Sequence, residues 1–345
     1  MKGFGTVWIT NGTMNFSRQC GQKARLGPCD LFMRILITGG FGFIGGRLGQ
    51  HFSQAGHQVV LGSRRYQGSP EWLPDAEVAK IIWDDEQNLL GLCEGIDVVI
   101  HAAGMNAQEC NADPAGALEV NGVATAHLAQ ASVLSGVGRF VYLSTAHVYS
   151  SPLVGVITEQ TCPGNLHPYA SSHLAGEKAV LWAGRSGLME SHVVRLSNVF
   201  GAPADSAVNC WMLLANDLCR QVAETGRMAL RSEGSQMRDF VAISQVCRTL
   251  EGLVFSSAPF DVLNLGSGLS TSVMDMARNV QELCSLHAGF TPEIISPSRR
   301  GAGHGALEYR SSRMASLAID FSHDLSAELE SLLRYCFREF SSRAS

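Results

Sequence analysis

A sequence of 345 residues is long enough for one large domain or two smaller ones. Its content of 46% hydrophobic and 17% charged residues is that of an ordinary globular protein with a well-filled core. The net charge of −5 gives no electrostatic reason to bind nucleic acid or an anionic membrane. No apolar run reaches the ~18 residues of a membrane span, and the N-terminus does not resemble a signal peptide. We therefore expect no nucleic-acid partner and no membrane partner.

Ten cysteines are spread along the chain without a C-x-x-C pair, and several, such as Cys93 and Cys247, stand inside apolar runs. This pattern favours buried, reduced thiols over a disulfide or metal framework. We therefore expect a cytoplasmic protein without a metal site.

In chain order, residues 1–32 show no clear period and predict a disordered extension, with an extra strand or cap as the alternative. From Met33 to about residue 200, short apolar runs alternate with longer amphipathic segments. The alternation predicts a Rossmann-type, doubly wound parallel sheet over residues 33–200. The predicted strands are Arg34–Thr38, Gln58–Leu61, Val78–Ile82, Val98–His101, Phe140–Ser144 and Ser191–Leu196, and the predicted helices include Gly45–Gln54, Ala115–Gly136 and Tyr169–Ser186.

After about residue 200 this alternation weakens. Helices are expected at Trp211–Gly226 and Thr271–Leu286, with short strands near Phe240–Ile243 and Asp261–Leu265. We therefore expect residues 201–345 to form a smaller mixed α/β substrate lobe, interleaved with the dinucleotide-binding domain and packed on the carboxyl edge of its sheet.

The first strand runs into Thr38-Gly39-Gly40-Phe41-Gly42-Phe43-Ile44-Gly45, and a helix follows. Gly39 permits a sharp exit from the strand, Gly42 lets the backbone approach a phosphate, and Gly45 lets the helix pack on the strand. The helix N-terminus, with Phe43 and Ile44, then offers free N–H groups to a pyrophosphate. The context of strand and helix favours a dinucleotide site over a glycine-rich turn without a ligand.

The spacing G-x-x-G-x-x-G after a threonine resembles the extended short-chain dehydrogenase/reductases, the NAD-dependent epimerase/dehydratase family of nucleotide-sugar enzymes. The resemblance extends from Met33 to about Arg313. It implies that Asp84 contacts adenine and that Asn121 supports the active site. It also places the turn His101-Ala102-Ala103-Gly104 beside the cofactor.

After the second strand, NAD-preferring members of that family carry an acidic residue, whereas this chain has Leu61-Gly62-Ser63-Arg64-Arg65. A guanidinium group can clamp the 2′-phosphate of NADP. The segment therefore favours NADP(H) over NAD(H), with two solvated surface arginines as the alternative.

Catalysis in the family uses a Ser/Thr, a Tyr and a Lys. By resemblance, Thr145 supplies the hydroxyl and Tyr169 of the Pro168-Tyr169 motif is the acid/base, but His173 stands where the family has lysine. Two interpretations remain open. Either His173 holds the nicotinamide ribose and tunes the phenol with a steeper pH dependence, or the site has lost hydride transfer and kept binding.

The substrate residues follow from the same resemblance. Ala146 and His147 replace the Asp-Glu pair of the 4,6-dehydratases, so dehydration through that pair is not expected; His147 is either near the substrate or simply packed. Residues expected at the nucleotide diphosphate are Asn198, Arg238 and Arg299, while Ala302 replaces the family's aspartate near Arg299.

The resemblance thus implies NAD(P)-dependent hydride transfer on a nucleotide-linked sugar, by an epimerase or a keto-sugar reductase. Two rivals remain: a catalytically impaired dinucleotide-binding protein, such as a sensor or assembly partner, and a reductase of a non-sugar ketone. Family members often dimerise through the helices that correspond to Ala115–Gly136 and Tyr169–Ser186, so a homodimer is expected.

Overall fold

A seven-stranded parallel sheet is the centre of the computed structural model, which describes residues 32–65, 68–255, 261–297, 305–317 and 325–341. The sheet order is β11-β7-β5-β4-β1-β2-β3, with every pairing parallel. In chain order the strands are β1 (Arg34–Thr38), β2 (Gln58–Ser63), β3 (Glu77–Lys80), β4 (Val98–His101), β5 (Arg139–Thr145), β6 (Gly155–Ile157), β7 (Glu190–Leu196), β8 (Asn198–Phe200), β9 (Arg227–Ala229), β10 (Met237–Ala242), β11 (Val262–Leu265), β12 (Ser270–Ser272), β13 (Glu293–Ile295) and β14 (Leu307–Tyr309). The predicted Rossmann-type sheet is confirmed. The predicted extension, except for Phe32, lies outside the described residues.

Helices cover both faces of this sheet. They are α1 (Phe43–Gln54), α2 (Glu86–Cys93), α3 (Ala107–Ala112), α4 (Pro114–Ala117), α5 (Ala124–Leu134), α6 (Pro168–Gly184), α7 (Leu214–Thr225), α8 (Ile243–Phe255), α9 (Val273–His287) and α10 (Leu325–Phe340); a π-helical turn, Leu118–Val123, joins α4 to α5. Strand β1 shows why both faces are apolar: Ile35 and Ile37 pack in the core under α1 and α8, while Leu36 packs in the core under α2, α5 and α6.

The chain after residue 200 forms a third apolar core and also returns to the large sheet. Helices α7, α9 and α10 pack around Phe200 and Phe240, which lie on the paired strands β8 and β10. Strand β11 pairs with β7 at the edge of the large sheet. Among the described residues, no helix is both long and apolar enough to cross a bilayer.

The strand order places one position of the sheet apart. Strand β1 lies between β2 and β4, so the connections from β1 and from β3 leave toward opposite edges. Ligands of open α/β sheets bind outside the carboxyl ends of the strands at such a switch point. The glycine-rich turn after β1 lies there.

Candidate active site

The turn between β1 and α1 is built from glycines because other residues would collide with backbone. Gly39 has φ +66°, and a Cβ atom there would lie 2.9 Å from the carbonyl carbon of Ala102. A Cβ atom at Gly45 would overlap the carbonyl oxygen of Gly39. Gly42 begins α1 as its N-cap and no side chain caps the helix, so the first-turn amides, including those of Phe43 and Ile44, face outward. This turn fits a pyrophosphate.

A cavity of about 460 Å³ opens at this turn. Its lining brings together several residues predicted from the sequence: Gly39, Gly42, Ser63, Arg64, Ala102, Ala103 and Gly104. It also includes residues that the sequence analysis missed: Phe41, Gly62, Ile81, Trp83, Met105, Glu109 and Val120. Arg65 is exposed next to Arg64, and Asp84 is exposed next to Trp83, which forms part of the wall. A cavity of this size and position fits part of a dinucleotide.

A buried chain of hydrogen bonds holds the two turns beside the cavity. The hydroxyl of Thr38 lies 2.6 Å from His101 Nδ1, and His101 Nε2 lies 2.9 Å from the hydroxyl of Thr125, which donates to the Asn121 carbonyl at 2.8 Å. The amide of Ala103 donates to Thr38 Oγ1 at 3.3 Å. Burial lowers the pKa of His101 to about 3, so its ring is neutral and carries its proton on Nε2.

The predicted catalytic residues meet near this network. Thr145 ends β5, and Tyr169 lies in the first turn of α6, where its phenol hydrogen-bonds the Thr145 side chain. Burial raises the pKa of Tyr169, and the bond to Thr145 offsets part of that rise. His173 follows one turn later, with its ring edge-to-face against Tyr169 at a centroid distance of 4.6 Å. The phenol is therefore held protonated beside a hydroxyl and an imidazole.

His173 is 7% exposed, and this burial lowers its pKa to about 4. The ring is neutral at pH 7, so stabilisation of a tyrosinate by a positive charge on this ring is absent at that pH. Its Nδ1 lies 2.9 Å from the hydroxyl of Tyr142 on β5. The sequence analysis missed Tyr142, because a tyrosine inside a strand otherwise made of apolar residues has the pattern of a core residue.

The predicted substrate residues stand on two sides of the catalytic group. His147 is half-buried two residues after Thr145, and its pKa is lowered by burial first and then by the charge of Arg238 on β10. Asn198 donates to the Asp239 carbonyl at 2.8 Å and so bridges β8 and β10. Arg299 and Ala302 lie outside the described residues.

A buried ion pair fixes helix α6 on the sheet. Both oxygens of Glu177 accept from the Arg195 guanidinium, at 2.9 and 2.6 Å, and Ser144 donates to Glu177 at 2.5 Å. Arg195 also donates to the hydroxyl of Tyr149 at 2.8 Å. Because α6 carries Tyr169 and β5 carries Thr145, this pair sets the separation of the catalytic side chains.

Comparison with known proteins agrees with this geometry. The model of the NAD dependent epimerase/dehydratase family matches residues 35–266. The chain belongs to that family. This epimerase/dehydratase-family protein is 30% identical, over 78% of its length and 84% of the relative's, to dTDP-6-deoxy-L-talose 4-dehydrogenase (NAD(P)(+)) of Kitasatospora kifunensis. Its homologues are NAD-dependent nucleotide-sugar epimerases, dehydratases and dehydrogenases, and the family chemistry is enzymatic hydride transfer.

Solved structures share the fold. MoeE5 in complex with UDP-glucose and NAD superposes with a TM-score of 0.71 at 26% identity, covering 89% of this family member and 100% of MoeE5. UDP-glucose 4-epimerase of Thermotoga maritima has a TM-score of 0.73 at 22% identity, covering 89% of this chain and 99% of its own, and shows the fold alone.

Proposed function

We propose that this family member reduces a keto group on a nucleotide-linked sugar with NADPH. The observation that carries the proposal is the protonation state around Tyr169. Its phenol is buried with a raised pKa, and the neighbouring His173 is neutral. A protonated phenol is ready to give a proton to a carbonyl oxygen, whereas epimerisation begins with removal of a proton from an alcohol.

Each catalytic side chain has a part in that reaction. Tyr169 donates its proton to the sugar carbonyl oxygen, and the Thr145 hydroxyl, which hydrogen-bonds the phenol, holds the same oxygen. His173 orients the nicotinamide ribose through a neutral ring nitrogen. NADPH, when bound, supplies the hydride from C4 of its nicotinamide ring.

The preference for NADP(H) over NAD(H) is supported by the end of β2. Ser63 and Arg64 line the cavity, and Arg65 is exposed beside them. The segment from Leu61 to Arg65 carries no carboxylate to bind the ribose hydroxyls. A phosphate on the adenosine ribose would meet a guanidinium in this wall.

The nucleotide-sugar substrate is supported by the relatives and by the cations beside Tyr169. The printed names of the relatives include dTDP- and UDP-linked sugars. In this chain Arg238 stands close enough to His147 to lower its pKa, and we place the diphosphate at Arg238 with Arg299 as its second ligand. Asn198 positions the strand that carries Arg238.

The test is an assay of NADPH oxidation with a dTDP-4-keto-6-deoxyhexose as substrate. Tyr169→Phe should lower kcat by about 10²- to 10⁴-fold, because the general acid is lost, and leave NADPH affinity within a few-fold. Tyr335→Phe is the matched control: Tyr335 packs on Trp211 beside the third apolar core, and the loss of its hydroxyl should leave kcat unchanged. Turnover that survives in Tyr169→Phe contradicts the proposal.

One observation favours the rival, a dinucleotide-binding protein without turnover: His173 lacks the charge that a lysine would hold beside Tyr169. That rival predicts tight NADPH binding with no oxidation of NADPH by any keto-sugar. An epimerase is distinguished by NAD(H) that stays bound through purification, and a reductase of non-sugar ketones by a KM that Arg238→Ala leaves unchanged.

We also propose a homodimer that works in the cytoplasm. The segments named for dimerisation, Ala115–Gly136 and Tyr169–Ser186, present exposed apolar side chains, among them Leu118, Val123 and Trp182. Apolar groups of this size on neighbouring helices suit a contact between two copies. The described cysteines are free thiols, in keeping with a reducing compartment.

A further inference from the structure

Tyr142 is the buried partner of His173. The side chain lies on β5, is 1% exposed and stacks on the ring of His101 at a centroid distance of 5.5 Å. Its hydroxyl lies 2.9 Å from Nδ1 of His173 and 3.4 Å from the carbonyl oxygen of Asn121. Burial raises the pKa of Tyr142 well above its ordinary value, so the group is a neutral O–H with one proton.

The two distances decide where that proton goes. Hydrogen bonds from hydroxyls to oxygen are about 2.5–3.0 Å long, and the contact with the Asn121 carbonyl is longer than this. That carbonyl already accepts from Thr125 at 2.8 Å. The short contact is the one with His173, so Tyr142 donates to Nδ1, and a neutral imidazole that accepts on Nδ1 carries its proton on Nε2.

We propose that Tyr142 is a positioning residue that fixes His173 in the Nε2–H tautomer. The imidazole edge lies against the cavity, since Cε1 of His173 is 3.8 Å from the place of a Cβ atom at Gly104, which lines it. Nε2–H is then a donor for a ribose hydroxyl, as a lysine ammonium would be. That last contact rests on the proposed function; the tautomer does not.

The network orients rather than conducts protons. Beyond Tyr142 and Thr125, the hydrogen bonds pass through His101 to Thr38 and end at the backbone amide of Ala103, which cannot take part in proton exchange along the chain. The side chains of His101, Thr125 and Thr38 are at most 1% exposed. A fixed set of donors and acceptors with no outlet holds one tautomer in place.

The tautomer is measured directly from the ring nitrogen shifts of the full-length protein labelled on histidine nitrogen, without ligand at neutral pH. The signals of His173 among the 11 histidines are identified by their loss in His173→Gln. We expect a protonated Nε2 and an unprotonated Nδ1, and a mixture of tautomers in Tyr142→Phe. Tyr309→Phe is the matched control, because it removes a buried hydroxyl that donates to the Arg195 carbonyl, and should leave the His173 signals unchanged.

A protonated Nδ1 in the wild-type protein overturns the proposal, as does a His173 spectrum that Tyr142→Phe leaves unaltered. In the NADPH assay, Tyr142→Phe should lower kcat by up to about tenfold with the sugar KM within about twofold, since one hydrogen bond to a catalytic ring is lost. If neither the wild-type protein nor any variant turns over but the tautomer is Nε2–H, the proposed function fails and the role of Tyr142 stands. If the wild-type protein turns over but Nδ1 is protonated, the role of Tyr142 fails and the proposed function stands.

Discussion

Arg64 and Arg65 are adjacent and both exposed, but only Arg64 lines the cavity at the end of β2. A guanidinium that meets a phosphate makes a charge-assisted pair worth about 1.5–3 kcal/mol, or about 10- to 100-fold in affinity. An arginine outside the wall gains far less, because water screens it. The two side chains therefore separate the cofactor clamp from simple surface charge.

We expect Arg64→Ser to weaken NADPH binding by about 10- to 100-fold and to leave NADH binding within about twofold. Arg65→Ser serves as the neighbouring control and should cost less than Arg64→Ser. Fluorescence titration of each variant with both dinucleotides measures the four affinities. Equal losses for NADPH and NADH would mean that Arg64 supports the fold of the turn rather than the 2′-phosphate.

The single residues also show where sequence reasoning stops. The positions of Thr145, Tyr169 and His173 follow from motif spacing, and the structure brings all three together. That His173 is neutral does not follow from its identity, because the lowered pKa comes from burial under side chains distant in sequence. Tyr142 contacts His173 across 31 residues of chain, a pairing that no local pattern contains.

At the scale of elements, the helix α1 depends on Gly45. A Cβ atom at this position would overlap the Gly39 carbonyl oxygen, so Gly45→Ala must push the helix N-terminus away from the turn. We expect a loss of about 1–3 kcal/mol of unfolding free energy and at least about tenfold weaker NADPH binding. Urea unfolding and dinucleotide titration measure the two effects.

Gly91 provides the control for that substitution. It lies in helix α2, and a Cβ atom there would have no neighbour within 4 Å. Gly91→Ala should stabilise the protein by about 0.5–1 kcal/mol, because alanine loses less backbone entropy in a helix than glycine does. If Gly45→Ala behaved like Gly91→Ala, the close approach of α1 to the turn would not matter for the site.

Among the elements, strands were predicted better than late helices. Strands β1 and β4 match their predicted bounds, because apolar runs buried on both faces are distinctive. Helix α10 was not predicted, although Leu329, Leu332 and Cys336 repeat at helical spacing and are buried. The predicted helix Ala115–Gly136 is interrupted by the π-helical turn; there the Asn121 side chain bonds Met105 and Ser172, contacts that only the tertiary structure supplies.

At the scale of the whole molecule, two neutral histidines make the fold sensitive to acid. Burial lowers the pKa of His173 to about 4 and that of His101 to about 3, where the neighbouring His173 adds a smaller effect. Both values lie below the 6.5 of an ordinary histidine. Between about pH 6.5 and 4 the unfolded chain therefore binds more protons than the native protein, and stability falls as the pH falls through that window.

We expect each histidine to contribute a slope of up to about 1.4 kcal/mol per pH unit in this window, because one proton is taken up on unfolding. His173→Gln should remove about one proton from the pH dependence of the unfolding free energy, measured by urea titration at several pH values from about 7 to 4.5. His287→Gln removes an exposed ring that water solvates in both states, and should change the slope less. Equal slopes for wild type and His173→Gln would show that His173 is protonated in the native protein, and would restore to it the charge that a lysine would carry beside Tyr169.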